Sequence, residues 1–348
     1  MRLTYILFLI FVSIPPVSAE IVRSSGQWTV KPNFEKSSKA RESISGAACV
    51  PGTNHCLAAN DEKNYAQFFE IEDGNLVPTR LIRLLPKKID GEKMDEIDAE
   101  GVVFVPAQDT GGKAYFYVTG SHGLSRSGDY QPSRYMLLRF PVDPRTGNPT
   151  FNFDGNRATP DVERTTLLRE TIKTNADLSP YADKTLDRNG VTIEGIATIG
   201  TDMLFGLRSP CLAKSAVIVR VPMGDLFKNT VPHATTSLVK MGDNVGVRDL
   251  ANVQDGILIL AGRSDDRRGS ENFTCGEKRA PPSPLPSVWF WSGRDGDAAR
   301  PLGDLPGVKA SASAETLLVL EETANAYRVL ILFDGKKNGK PVEFTIEK

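Results

Sequence analysis

The sequence predicts an all-β fold, a β-propeller of five blades, with six blades as the alternative count and a β-sandwich as the rival architecture. Two observations predict it. One pattern recurs along the chain: an acidic or small residue, often followed by Gly, then a short apolar run, a tight turn, a second apolar run and a polar turn. Repeats of this size built from short strands mean radial repetition. Long apolar runs of 3.6 period and helical heptads are missing from the sequence.

Gln27-Trp28-Thr29-Val30 reads as a strand ahead of the first full repeat. That repeat supplies four runs, 44–50, 56–60, 66–72 and 78–84, joined by Pro51-Gly52 and Asp73-Gly74, which are hairpin signals. The second supplies 99–105, 114–120, 135–142 and 165–171. Polar stretches at 143–163 and 173–190 interrupt it. Glu100 and Glu194 are 94 residues apart, against 55 from Ser45 to Glu100 and 55 from Glu194 to Asp249. An insertion of about 40 residues decorating this blade accounts for the excess, because no further acidic-Gly anchor lies inside it. The third repeat reads as 191–199, 202–208, 216–221 and 236–240, and the fourth as 246–253, 257–263, 288–291 and 299–302. A Pro-rich link, 281–286, divides the fourth. Trp289-Phe290-Trp291 is expected to pack between blades. The fifth repeat reads as 307–312, 316–321 and 327–333. The alternating segment 341–346 then completes a blade, with the strand near Trp28 as its expected neighbour, so that both ends of the chain close the ring.

The chain has 348 residues, 40% hydrophobic and 24% charged, an ordinary globular balance. A formal net charge of -1 favours neither nucleic acid nor an anionic membrane as partner. Arg2 precedes the apolar run 5–14, and Val17-Ser18-Ala19 fits the small-x-small cleavage rule. Residues 1–19 are therefore expected to be a signal peptide and 20–348 a single propeller domain, periplasmic or secreted. The run is too short to span a bilayer, so no membrane insertion is expected after cleavage. An exported chain can oxidise its cysteines. The expected pairs are Cys49–Cys56, across one turn, and Cys211–Cys275, in turns of adjacent repeats. No Cys-x-x-Cys occurs and the three histidines are scattered, which leaves little for zinc.

Four motif groups carry a family resemblance. They are Ser45-Gly46 with Asn60-Asp61-Glu62, Glu100-Gly101 with Thr119-Gly120-Ser121-His122, Ile193-Glu194-Gly195 with Arg208-Ser209-Pro210, and Val247-Arg248-Asp249-Leu250. Together they resemble an uncharacterised bacterial family of propeller-like proteins (domain of unknown function 3616), over roughly residues 44 to 335. The set is similar, more loosely, to phytase-like esterase and strictosidine-synthase-like propellers, which share an inner-strand Glu-Gly. The first family brings no activity with it. The looser kinship implies metal-assisted ester or phosphoester chemistry.

The innermost strand of each blade lines the propeller channel. Glu100, Glu194 and Asp249 fall on that strand in three repeats, with Ser45 and Ser311 in the corresponding places of the other two. Converging carboxylates need a compensating charge, and calcium, which takes oxygen ligands, is the simplest divalent cation for an exported protein. The alternative is that each carboxylate accepts neighbouring backbone N–H groups and locks its blade. The turns after the second strands are expected on one face, carrying Asp61, Glu62, Ser121, His122, Arg208, Arg263, Asp265, Asp266, Glu321 and Glu322. His122, which titrates near neutrality, is the general-base candidate, with a structural imidazole as the alternative. Arg208 and Arg263 would clamp an anion, or else pair with Glu194 and Asp249. Asp61, Glu62, Ser121, Glu321 and Glu322 would contact substrate. Two functions fit: a metal-assisted hydrolase of phosphoesters, lactones or related esters, or a non-catalytic cell-envelope module binding a carbohydrate or protein. A monomer with a small-molecule or carbohydrate ligand is expected.

Overall fold

The computed structural model describes residues 19–35, 37–265 and 284–348. Five antiparallel sheets form five blades of a propeller. Blade one is Ile44–Cys49, His55–Asn60, Tyr65–Glu72 and Asn75–Arg83, from the axis outward. Thr29–Val30 is added in parallel on its outer edge. Blade two is Ala99–Val105, Ala114–Gly120, Leu137–Val142 and Glu163–Thr165. Blade three is Thr192–Ile199, Asp202–Leu212, Ser215–Pro222 and Thr235–Lys240. Blade four is Val245–Val253, Gly256–Arg263, Ser287–Trp291 and Arg300–Asp304. Blade five is Ser313–Glu322, Ala326–Asp334, Val342–Glu347 and, from the other end of the chain, Ile21–Arg23. Inner strands touch their neighbours in chain order, and the fifth touches the first.

The apolar residues divide into five clusters, one in each seam between blades. Leu57 and Phe68 meet Val102 and Phe116 between blades one and two. Tyr117 meets Ile196 and Phe205 between two and three. Ile218 meets Ile259 and Trp291 between three and four. Leu258 and Val288 meet Tyr327 and Phe333 between four and five. Cys56 and Phe69 meet Leu318 and Leu330 between five and one. Alternating side chains of one sheet thus serve two seams. Each fully buried Leu, Ile or Phe contributes about 1.5–3 kcal/mol, so the seams are what hold the ring.

Three elements differ from the sequence reading. The run 165–171 is not a strand: Glu163–Thr165 ends the blade, and Leu167–Thr174 is a helix. Leu168, Thr171 and Ile172 share a helical face, and Leu168 and Ile172 pack into the seam between blades two and three. The inner strand of blade five is Ser313–Glu322, not 307–312. Pro306 and Gly307 (φ 74°) hold the earlier segment in a turn, while Ala314–Leu318, polar Glu315 and Thr316 included, is buried at the axis. The last strand pairs with Ile21–Arg23 and not with the strand near Trp28. The Trp28 indole N–H instead donates to Glu343 of that last strand at 2.8 Å, which ties blade one to blade five.

Cys49 and Cys56 face each other in register and form a disulfide, with Cα atoms 3.9 Å apart. Closing so short a loop stabilises the fold by about 2–3 kcal/mol in the chain-entropy account. The double variant Cys49→Ala/Cys56→Ala is expected to lose that amount in urea unfolding, and a loss under about 0.5 kcal/mol would show the crosslink to be idle. Cys275, Asp266 and residues 1–18 of the expected signal peptide 1–19 lie outside the described residues. Among the described residues no helix is long and apolar enough to cross a membrane.

Candidate functional site

The inner two strands of every blade share one irregularity. Their pairing skips a single residue on the innermost strand: Ser45, Glu100, Glu194, Arg248 and Glu315. A bulge re-aims the side chain of its extra residue, and here the repeated bulge sets five side chains at equivalent points around the axis. The next residue faces the neighbouring blade. In three blades it is Gly46, Gly101 or Gly195, because a Cβ there would stand 2.8–2.9 Å from an atom of the adjoining inner strand. The Glu-Gly pair thus joins two demands, a polar group at the channel and a backbone stripped for close approach.

A cavity of about 590 Å³ opens at this end of the channel. Among the described residues, eight carboxyl groups (Asp61, Asp98, Glu100, Asp187, Glu194, Asp265, Glu315, Asp334) and five guanidinium groups (Arg126, Arg134, Arg208, Arg248, Arg263) line it, and no lining side chain is aromatic. The carboxyl groups outnumber the guanidinium groups, eight to five. Most of the ions are already paired. Arg208 donates to Glu194 at 3.0 Å and to the Asp265 carbonyl at 2.9 Å. Arg248 reaches Glu194 at 3.2 Å and donates to Glu315. Arg134 holds Asp98 at 3.0 Å and Glu96 at 2.9 Å. Arg263 donates to Asp265 at 2.7 Å. Glu100 differs: it lines the cavity with no ion pair or hydrogen bond to any described residue. Burial, then the nearby Glu194 and Asp98, pushes its carboxyl well above the usual range.

The residues expected from sequence are distributed unevenly. Asp61, Ser121, Glu100, Glu194, Arg208 and Arg263 line the cavity. Asp249 does not. Both its oxygens accept backbone N–H groups, Leu250 at 2.8 Å and Leu317 of blade five at 2.7 Å. Glu100, Glu194 and Asp249 therefore do not face one point, and among the described residues no three His, Cys, Asp or Glu side chains are grouped to hold one ion. His122 is turned away from the cavity. It is 2% exposed, its ring stands edge-on to Tyr135, and neither nitrogen has a hydrogen-bond partner among the described residues. Its neighbour Ser121, just past the strand Ala114–Gly120, faces the cavity, while His122 takes a left-handed backbone (φ 53°). Glu62 is on the surface with Lys39 at 3.0 Å. Glu321 and Glu322 lie at the far end of their strand, paired with Arg328 and Lys348, each at 2.7 Å.

Asp98, Arg134, Arg248, Glu315 and Asp334 complete the site and escaped the sequence reading. Two carried a signal. Ala314-Glu315 repeats Ala99-Glu100, and Asp334 ends an apolar run as Asp61 does. The pairing identifies Glu315, not Ser311, as the fifth-blade anchor, and Arg248, not Asp249, as the fourth.

Burial, then Asp334 and Asp98, raises Asp61 to about 8, and burial raises Asp98 and Asp334 too. A raised carboxyl contributes stability below its unfolded value of about 4 and loses it as pH climbs through the folded value. Burial, then Arg169, lowers His122 to about 3, so its contribution is complete above about pH 6.5 and fades toward acid. Above that point only the carboxyls act. The melting temperature is expected to fall from about pH 6.5 to 9, less steeply in Asp61→Asn. A flat or rising profile in this interval would contradict the assignment.

The profile of a family described as "Protein of unknown function (DUF3616)" matches residues 47–343. A search of curated proteins finds none that matches. Among solved structures, a GH43 β-1,3-galactosidase is similar at 11% identity and a TM-score of 0.48, over 94% of this chain and 60% of that one. Hydrazine synthase of Kuenenia stuttgartiensis is similar at 12% identity and 0.38, over 84% and 64%. Sqt1 of Saccharomyces cerevisiae is similar at 9% identity and 0.30, over 92% and 98%. The chain thus spans less than two thirds of the first two.

Proposed function

We propose that this chain, which belongs to the DUF3616 family of proteins of unknown function, is an exported hydrolase that cleaves an acetal-type, glycosidic bond in a polyhydroxylated ligand bound at the channel mouth. The observation that carries the reading is Glu100, which has no cation among the described residues while the other two glutamates of the ring, Glu194 and Glu315, are paired. Kept protonated by its buried, acidic surroundings, Glu100 gives its proton to the departing oxygen. The surrounding carboxylates favour the positive charge that such a bond develops as it breaks. Water adds to the carbon, and Asp98, oriented by Arg134, receives the proton that water releases.

Esters and phosphoesters build negative charge instead. The guanidinium groups that would meet it are engaged by carboxylates, so the charge pattern favours the acetal class. The Cys49–Cys56 disulfide supports export to an oxidising compartment. A screen of chromogenic glycosides, lactones and phosphoesters tests the reading. Turnover confined to glycosides supports it. Turnover of phosphoesters alone would overturn it, and sugar binding without turnover would return the site to a binding module.

A further inference from the structure

The fourth position of the ring carries the opposite charge from the glutamates of the second, third and fifth. We infer that Arg248 is the resident cation of the ring of bulged residues: its guanidinium fills the place in which a metal ion would otherwise bridge Glu194 and Glu315. Arg248 is 6% exposed and sits between two ring neighbours, Glu194 of blade three and Glu315 of blade five, with which it pairs. The ring order explains why one arginine serves two glutamates, since only the flanking blades are in reach. Burial opposes the charge on Arg248, and Glu194, Glu315 and Glu100 outweigh that cost.

A second observation is independent of charge. Gly262, on the neighbouring strand of the same blade, leaves room for the stem of Arg248: a Cβ there would stand 3.0 Å from Cγ and 3.4 Å from Cδ. A bound metal ion would need no such recess. Two elements of blade four are therefore shaped to carry a long cationic side chain to the axis. The inference concerns how the channel is neutralised and stands whether or not the cavity hydrolyses anything.

The test reads stability and needs no substrate. Melting temperature would be measured for the wild type and Arg248→Ser, each in chelator, in millimolar calcium and in millimolar ethylguanidinium. The wild type is expected to melt at the same temperature in all three. Arg248→Ser is expected to melt roughly 5–10 °C lower in chelator and to recover part of the loss with either cation, which enters the space the side chain vacated. A wild type raised by calcium and lowered by chelator overturns the inference, because a metal then shares the channel with the arginine. An Arg248→Ser variant as stable as the wild type also overturns it. Should Arg248→Ser fail to fold under every condition, Arg248→Lys decides. Folding of the lysine variant without a calcium response supports a need for fixed charge, and its failure assigns the residue a role of shape alone.

Discussion

Glu100→Gln is expected to lower kcat by about 10²–10⁴-fold and to leave ligand affinity nearly unchanged. Glutamine keeps the size and the hydrogen-bonding oxygen of the side chain but has no acidic proton to give. Because Glu100 holds no ion pair among the described residues, the substitution strips no partner and should leave the ring intact. The wild-type rate should decline as pH rises and Glu100 gives up its proton, and the glutamine variant should lack that decline. The measurement is steady-state kinetics on the glycoside returned by the substrate screen, with binding followed separately by calorimetry. Full activity in Glu100→Gln would remove this carboxyl from the mechanism. A parallel His122→Asn variant is expected to leave the pH profile of the rate unchanged, because the imidazole is walled off from the cavity.

The second large effect is structural. Asp249→Ala is expected to destabilise the fold by about 2–5 kcal/mol, since two backbone N–H groups, of Leu250 and Leu317, lose their acceptor in a buried place. Burial raises the Asp249 carboxyl, and the two N–H groups pull against that shift. The geometry shows why this side chain occupies a position that is glycine in blades one to three. Those blades approach the next inner strand directly. Asp249 instead spans to blade five and hydrogen-bonds its backbone. Asp249→Asn retains one acceptor oxygen and should lose about half as much. Urea unfolding of the three proteins measures the series, and a change below about 0.5 kcal/mol for Asp249→Ala would show that the bridge adds nothing.

Where the sequence was readable, two constraints fell on adjacent residues. Glu100-Gly101 and Glu194-Gly195 each combine a bulged polar side chain with a glycine under the next blade, and the pair stands out against apolar flanks. The seams were readable as well, because strand alternation marks them. The fourth anchor was misplaced by one residue. An acidic residue does stand there, and nothing local shows that the pairing skips Arg248 and returns Asp249 to the seam. One residue of register reverses which side chain meets the channel. In the fifth blade Thr316 replaces the glycine, which hid Glu315, and Ser311 took its place. His122 has the composition of a general base, and only the packing of Tyr135 and its neighbours shows that the ring is sealed. Asp98 and Arg134 were not readable at all. They lie in connecting segments, and their proximity depends on how loops fold over the channel mouth.

The fifth blade takes three strands from the end of the chain and its outermost, Ile21–Arg23, from near the beginning. The circle is therefore clasped only when segments more than 300 residues apart in sequence meet. A chain still being synthesised holds its first strand ready for a partner made more than 300 residues later. Four blades can stack before then, but the seam between five and one stays open and its apolar faces stay wet. Assembly is thus timed to the release of the whole polypeptide, and a nick or fusion near residue 21 should act less like a trimmed end than like a broken buckle.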